Sequence, residues 1–510
     1  MGQTCSRRTF LKHASLAGAS LAAGTYSARL GRAITAPFPG RFQPTWDSLS
    51  QYHVPDWYRD AKFGIFMHWG IYSVPAHASE WYPRLMYRRE SPVFQWHQQH
   101  WGPQSMFGYK DFIPMFRGER WNPAELVALY KKAGAKYIVP VGEHHDGFPM
   151  YDSHLTEWCA AKMGPRRDTI AEWEREVRSQ GLRFGVSSHR GFHWSYYTFE
   201  DDFDTNNPLY AGLYGPIHAP TPLATNNPHE LRQTPSLEFL QDWYARTIEI
   251  VDKYHPDLMY FDFGFNIPPF EPYRKQFGAY YYDVADQWGR EVVLNYKNKA
   301  YPEHAAVLDI ERGLVGEVRE LPWQTDTSVG WKSWGYIQDE NYKSASEIIH
   351  EFVDIVSKNG NLLLNVGPKP DGTLPEEAVE LFHGLGRWME VNGSAIFGSR
   401  PWKVYAEGPT ALKGGSFGES AEKTMKFTSE DIRFTTKDGA IYAILMAWPE
   451  DEAKITSLGS KSPHAPGRIS NVQILGAGGN LQWRQEPEAL TIQVPGVKPC
   501  DYAYCFKITV

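Results

Sequence analysis

The chain has 510 residues, too many for one ordinary core, with a formal net charge of -7 and four cysteines. That charge, with no basic block, excludes nucleic acid as a partner, and four cysteines are too few for a disulfide scaffold. Aromatic residues make up 15% of the chain, including 19 Trp; most must fill a core, but enough remain to supply the flat apolar faces on which sugar rings stack.

The N-terminal stretch Ser6-Arg7-Arg8-Thr9-Phe10-Leu11-Lys12 precedes a mild apolar segment, residues 14–24, rich in Ala, Gly and Ser. Paired arginines before a short apolar segment match a twin-arginine export signal, which places residues 1–36 in a removed leader cut after Ala28 or Ala36. The segment is too short to anchor stably in a bilayer. Cys5 leaves with the leader, and Cys500 and Cys505 could pair only if the chain bends between them.

From Trp57 onward the chain alternates strands that end on polar residues with helical stretches. Residues 62–67 run into His68, residues 137–141 into Glu143-His144-His145-Asp146-Gly147, and residues 182–187 into Ser188-His189-Arg190. Helical spacing over residues 123–134, 169–180 and 237–254 separates these runs. Pro256-Asp257 is a turn signal, and the apolar run behind it stops on Asp262, two residues before Gly264. Residues 292–294 lead to Asn295-Tyr296-Lys297. Ser344 and Glu347 form a capping box before an apolar helix face, and residues 362–366 complete the series.

Strands that are apolar throughout, each following a helix, imply a parallel sheet covered on both faces. Seven or eight of them over residues 40–400 close most economically as an α/β fold of the (β/α)8 type. An open doubly wound sheet is the alternative, but no Gly-rich phosphate loop follows the first strand. Past Trp402 the pattern becomes period two, with a hairpin signal at residues 437–440, so residues 401–510 read as a C-terminal β-sandwich.

In a parallel barrel the strand C-termini form the active face. His68, His144, His145, Asp146, His189, Asp262 and Lys297 all collect there. The plain alternative for Asp262 is a cap on the next element. A metal is disfavoured because adjacent histidines diverge from an extended chain, and neither a His-x-x-x-His pair nor a cysteine cluster accompanies them. No cofactor is implied, and oligomeric state is not legible.

The run from Trp57 through Lys62-Phe63-Gly64-Ile65-Phe66-Met67-His68-Trp69-Gly70 to Glu80-Trp81-Tyr82 is followed by His144-His145-Asp146-Gly147-Phe148 and by Pro256-Asp257 to Asp262. Ser333-Trp334-Gly335-Tyr336 and Asn361-Leu362-Leu363-Leu364-Asn365-Val366-Gly367-Pro368 come next. Together, over about residues 45–402, these motifs resemble the α-L-fucosidases of glycoside hydrolase family 29. The resemblance implies a (β/α)8-like barrel with a C-terminal β-sandwich, and a retaining exo-hydrolase that removes terminal α-L-fucose from glycans or polysaccharides by double displacement. It implies Asp262 as nucleophile, with His68, Glu80, Trp81, His144 and His145 on the sugar hydroxyls and Trp334 against the C6 methyl. Glu311 stands where the acid/base is expected, with Glu317, Glu320 and Asp326 as competitors; its plain alternative is an ion pair with Arg312. Gln324 occupies a Trp-Glu position common in relatives, and an amide cannot act as an acid. Lys297, expected to bind sugar hydroxyls with the histidines, falls where relatives carry the arginine of Asn-Asp-Arg, and His189 where they show tyrosine. Those departures leave open the same fold acting on α-L-galactosides, and a catalytically silent sugar-binding protein.

Overall fold

The computed structural model describes residues 40–218, 234–410, 414–418 and 426–510. The leader expected at residues 1–36 lies outside them. Eight parallel strands form the first sheet: β1 (Phe63–Met67), β2 (Tyr137–Glu143), β3 (Arg183–Ser188), β4 (Leu258–Phe261), β5 (Val293–Tyr296), β6 (Val307–Leu308), β7 (Trp323–Ser328) and β8 (Gly360–Val366). The hydrogen-bonded order is β6-β5-β4-β3-β2-β1-β8-β7. The open edge between β6 and β7 is drawn together by a parallel bridge, Asp309 to Gln324, and by Ile310 N–H on the Gln324 carbonyl at 2.9 Å. The sheet is thus a nearly closed barrel with its seam just past β6.

Covering helices are α1 (Pro123–Lys132), α2 (Thr169–Ser179), α3 (Leu237–Tyr254), α4 (Glu271–Gln287), α5 (Ala345–Ser357) and α6 (Glu376–Ile396). Their local chemistry is regular. Ser236 caps α3 through the Phe239 N–H, and the Ser344–Glu347 capping box opens α5. His255 ends α3 in the left-handed conformation, φ 43°, and its successors turn into β4. Buried Asp257 fixes that turn by accepting from Arg178 at 2.8 Å and from the Phe184 N–H at 3.1 Å.

Two of the barrel strands are not apolar runs. β6 has only two residues, and β7 reads Trp-Gln-Thr-Asp-Thr-Ser yet is buried along its whole length. Its side chains pair with other polar groups inside the barrel, so the hydrophobic signal that marks the remaining strands is missing.

The strands after Arg400 are antiparallel. One sheet orders β9 (Arg400–Glu407), β10 (Ile432–Lys437), β11 (Ala440–Leu445), β13 (Asn471–Ile474) and β16 (Tyr504–Thr509) as β13-β16-β11-β10-β9; the other is β12 (Glu452–Ile455), β15 (Leu490–Gln493) and β14 (Trp483–Gln485). Trp402, Phe434, Ile441, Ile455, Leu490 and Phe506 share one apolar cluster between them. The β10–β11 hairpin turns on Asp438 and Gly439, both at positive φ, which a two-residue turn of this kind requires. Cys159, Cys500 and Cys505 are free thiols, and no disulfide joins the last two.

Candidate active site

Strand register sets the site. Ser188 pairs with Phe261, Phe261 with Tyr296, and Tyr296 with Leu308. The next residue on each chain, His189, Asp262, Lys297 and Asp309, therefore stands at one level on the C-terminal rim of neighbouring strands. A parallel barrel concentrates residues that lie far apart in sequence in this way.

Asp262 caps nothing. Its Oδ2 is met by His145 Nε2 at 3.1 Å and by His189 Nδ1 at 3.0 Å, and its Oδ1 by the Lys297 ammonium at 3.1 Å. Burial by itself would raise this carboxyl; Lys297, His189 and His145 overturn that and hold it well below the usual range. Gly264 keeps the turn tight. Its φ is 101°, and a Cβ there would come within 2.9 Å of the Gly191 and Phe192 backbone.

Glu311 follows the barrel seam and pairs not with Arg312 but with Lys297, 3.0 Å from Oε2 to Nζ. About a fifth of its side chain reaches solvent, at 21% exposure. Burial pushes its carboxyl up; Lys297 opposes this, Asp326 and Asp262 add to it, and the result is about 7. Arg312 instead donates to the Gly330 carbonyl and lies over the Trp334 ring, 4.8 Å from its centroid. Because Asp262 and Glu311 touch the same ammonium, their nearest oxygens are at most about 6 Å apart, close enough for both carboxyls to face one anomeric centre.

Around this pair the imidazoles supply further hydrogen-bonding groups. His68 lies beside Asn365, Nδ1 to Oδ1 at 2.8 Å, which places the proton on Nδ1 and leaves Nε2 as an acceptor. Burial lowers His68 and His144 well below the ordinary histidine value. His144 Nδ1 is buried with no hydrogen-bond partner, as is the hydroxyl of Tyr72, whose ring lies 5.2 Å from that of His144. Two buried, unpartnered polar atoms on neighbouring rings are groups that a sugar hydroxyl would satisfy. His145 Nδ1 faces the His189 carbonyl at 2.5 Å. His189 Nε2 accepts from Ser187 at 2.5 Å.

Glu80 takes the Ser333 hydroxyl and the Trp334 N–H on Oε2, each at 2.9 Å, and so ties the first excursion of the chain to the loop carrying Trp334. Trp334 is half-buried, with its ring 5.3 Å from His68. Trp81, also half-buried, stacks on Phe263 and packs 5.3 Å from His145. Asp146 is at a strand end but turns away, accepting from Tyr109 at 2.7 Å; burial pushes it up to about 7.

The nine residues given a catalytic or sugar-binding role from the sequence, His68, Glu80, Trp81, His144, His145, Asp262, Lys297, Glu311 and Trp334, join one contact network, and Asp146, also collected at a strand end, does not. Sequence reasoning gave no role to Tyr72 or Asp309, weighed Asp326 only as a rival acid/base, and left His189 without a role. A polar residue within a buried strand is the signal that could have found Asp326. Two triads, His68–His144–His189 and His145–His189–Asp262, bring ligating atoms within 4.8 Å of one another. His189 already spends both nitrogens on protein partners and so does His145, so neither triad offers a free ligand set.

A barrel whose strand ends gather two carboxyls and several imidazoles has the parts that glycoside hydrolysis needs. The family model described as Alpha-L-fucosidase matches residues 33–394, and that of the Alpha-L-fucosidase C-terminal domain matches residues 426–509; the chain belongs to the α-L-fucosidase family. It is 30% identical to the tissue α-L-fucosidase of Rattus norvegicus over 500 residues, covering 92% of this chain and 93% of the rat protein. The crystal structure of Thermotoga maritima α-fucosidase superposes with a TM-score of 0.73 at 29% identity, over 92% of this chain and 100% of that one. The same enzyme in complex with fucose gives a TM-score of 0.72, with the same identity and coverage.

Proposed function

We propose that this chain is a retaining exo-α-L-fucosidase acting on terminal fucose of glycans or polysaccharides, with Asp262 as nucleophile and Glu311 as acid/base. The observation that carries the reading is the opposed tuning of two carboxyls on one ammonium. Asp262 stays ionised for attack on the anomeric carbon, and Glu311 keeps a proton for the leaving oxygen. In the first step the glycosidic C–O bond breaks as Asp262 bonds to the anomeric carbon and Glu311 gives its proton to the departing oxygen. In the second, Glu311 takes a proton from water as that water displaces Asp262.

His68, Glu80, Trp81 and His144 hold the sugar hydroxyls in this reading, Trp334 covers the C6 methyl, and His145, expected on a sugar hydroxyl, instead steadies Asp262, since its two nitrogens already meet the His189 carbonyl and that carboxylate. Lys297 serves the two carboxyls rather than the sugar: its three acceptors are protein carboxylates. Asp262→Ala should abolish turnover of 4-nitrophenyl α-L-fucoside, and azide should restore it with β-fucosyl azide as product. An α-configured azide would sink the double displacement.

Residues 40–400 form the catalytic unit and residues 401–510 its β-sandwich partner. The first 36 residues are, in the same reading, a twin-arginine leader for export in folded form to a periplasm or beyond. Free thiols throughout the described residues fit a protein folded in a reducing compartment before export, and no described helix is long and apolar enough to cross a membrane. Replacing Arg7 and Arg8 by lysine should leave the precursor in the cytoplasm; unchanged export would exclude this route.

A further inference from the structure

Beneath Asp262 and Glu311 the barrel holds a second pair of acids. Asp309 follows β6 and Asp326 lies within β7; they are 3% and 1% exposed. The Tyr260 hydroxyl reaches both, at 2.8 Å from Asp326 Oδ2 and 3.3 Å from Asp309 Oδ1. Gln324 presents its amide N–H to Asp309 Oδ2 at 2.6 Å. Its orientation is fixed, because its oxygen accepts from the hydroxyls of Tyr58 and Tyr137, both at 2.9 Å. Lys297 Nζ sits 2.9 Å from Asp326 Oδ2. The other oxygen of Asp326, Oδ1, is buried and has no partner.

That orphan is informative. Asp309 and Asp326 both face the Tyr260 hydroxyl, which has one proton to give, and two ionised carboxylates have only acceptors to offer each other. A proton on one of them supplies the donor. Charge balance asks for the same thing. Ionised Asp262, Glu311, Asp326 and Asp309 around one ammonium would leave three uncompensated charges in a buried place, whereas protons on Glu311 and Asp309 leave one.

We propose that Asp309 and Asp326 share a single proton, resident on Asp309, and that the remaining charge on Asp326 anchors Lys297 midway between Asp262 and Glu311. Both acids are positioning residues that act through Lys297, and the inference rests on the reading of Asp262 and Glu311 given above. A lysine suits the post better than an arginine, since a compact ammonium can meet three carboxyls from three segments of the barrel where a planar fork would favour two parallel contacts with one.

Isosteric amides separate the two roles. In Asp309→Asn the amide N–H replaces the acid proton towards Asp326 and the amide oxygen still accepts from Gln324, so its loss of kcat should be at least about tenfold smaller than that of Asp326→Asn. Asp326→Asn removes the anchoring charge and should cost about 100-fold or more in kcat with a smaller change in KM. It should also move the alkaline limb of the kcat/KM profile to lower pH. The groups facing Glu311 are Lys297, Asp326 and Asp262, and losing the negative Asp326 eases ionisation of Glu311. Equal losses in the two variants, or the reverse order, would overturn the proposal. So would a misfolded Asp309→Asn, because the substitution exchanges one neutral donor for another. Infrared difference spectra at neutral pH, wild type minus Asp309→Asn, should show the stretch of one protonated carboxyl group. Absence of that band would refute the shared proton whatever the enzyme does to fucosides, and lack of wild-type turnover would instead refute the functional reading alone.

Discussion

Glu311 holds its proton to about pH 7 in the folded chain, while an unfolded glutamate ionises near ~4.3. Between those values the native state binds the extra proton, so this group's contribution to stability falls as pH rises through the window and the loss is complete above about 7. Glu311→Gln removes the effect. Thermal melts from pH 4.5 to 8 should therefore show a smaller drop in Tm for the variant than for wild type; parallel curves would contradict the perturbed carboxyl. The same residue sets the alkaline limb of activity, because an acid that has lost its proton cannot assist the leaving oxygen. Glu311→Gln should hurt glycans with poor leaving groups far more than activated aryl fucosides. Equal loss on both would remove Glu311 from the acid role. At this scale the sequence revealed residue types but not states: the acid 49 positions after Asp262 could equally have paired with Arg312, and only the strand ends bring Lys297 between the two carboxyls.

At the scale of elements, the turn after β4 is the least forgiving. Gly264→Ala would place a methyl against the Gly191 and Phe192 backbone at a φ that costs an L-residue about 1–2 kcal/mol before any clash. It should lower both Tm and kcat, and a variant with normal kcat would show that the turn does not position Asp262. Periodicity was enough to find β1 to β5 and β8, because each is an apolar run between a turn signal and a polar end. β7 was hidden because its interior partners are polar: Gln324 serves Asp309, Tyr58 and Tyr137, and Asp326 serves Lys297 and Tyr260. β6 is too short for any period to register. The seam they form carries Asp309 and Glu311, so the stretch least legible in sequence is the one that completes the site.

Across the whole molecule, the antiparallel unit is joined to the barrel by charge as well as by apolar contact. Asp354 of α5 is fully buried and accepts from Lys358 Nζ and from Arg433 Nε of β10, each at 2.6 Å. Arg433→Ala strips one partner from a buried carboxylate and should cost about 3–5 kcal/mol. Calorimetry should show a lower Tm, and an unchanged melt would mean the two units are coupled elsewhere. The C-terminal unit also reaches the site itself: the Phe417 N–H donates to the Glu311 carbonyl at 2.9 Å, and Gly415 bridges Leu314. The segment that bears the acid is thus held from both sides, by β7 within the barrel and by residues 414–418 outside it. The measurement that bears most directly on the central claim is the configuration of the first-formed sugar, followed by proton NMR as 4-nitrophenyl α-L-fucoside is hydrolysed. Asp262 as nucleophile with Glu311 as acid/base predicts α-L-fucose appearing first and mutarotating later to the β-anomer; β-L-fucose as the initial product would contradict the account.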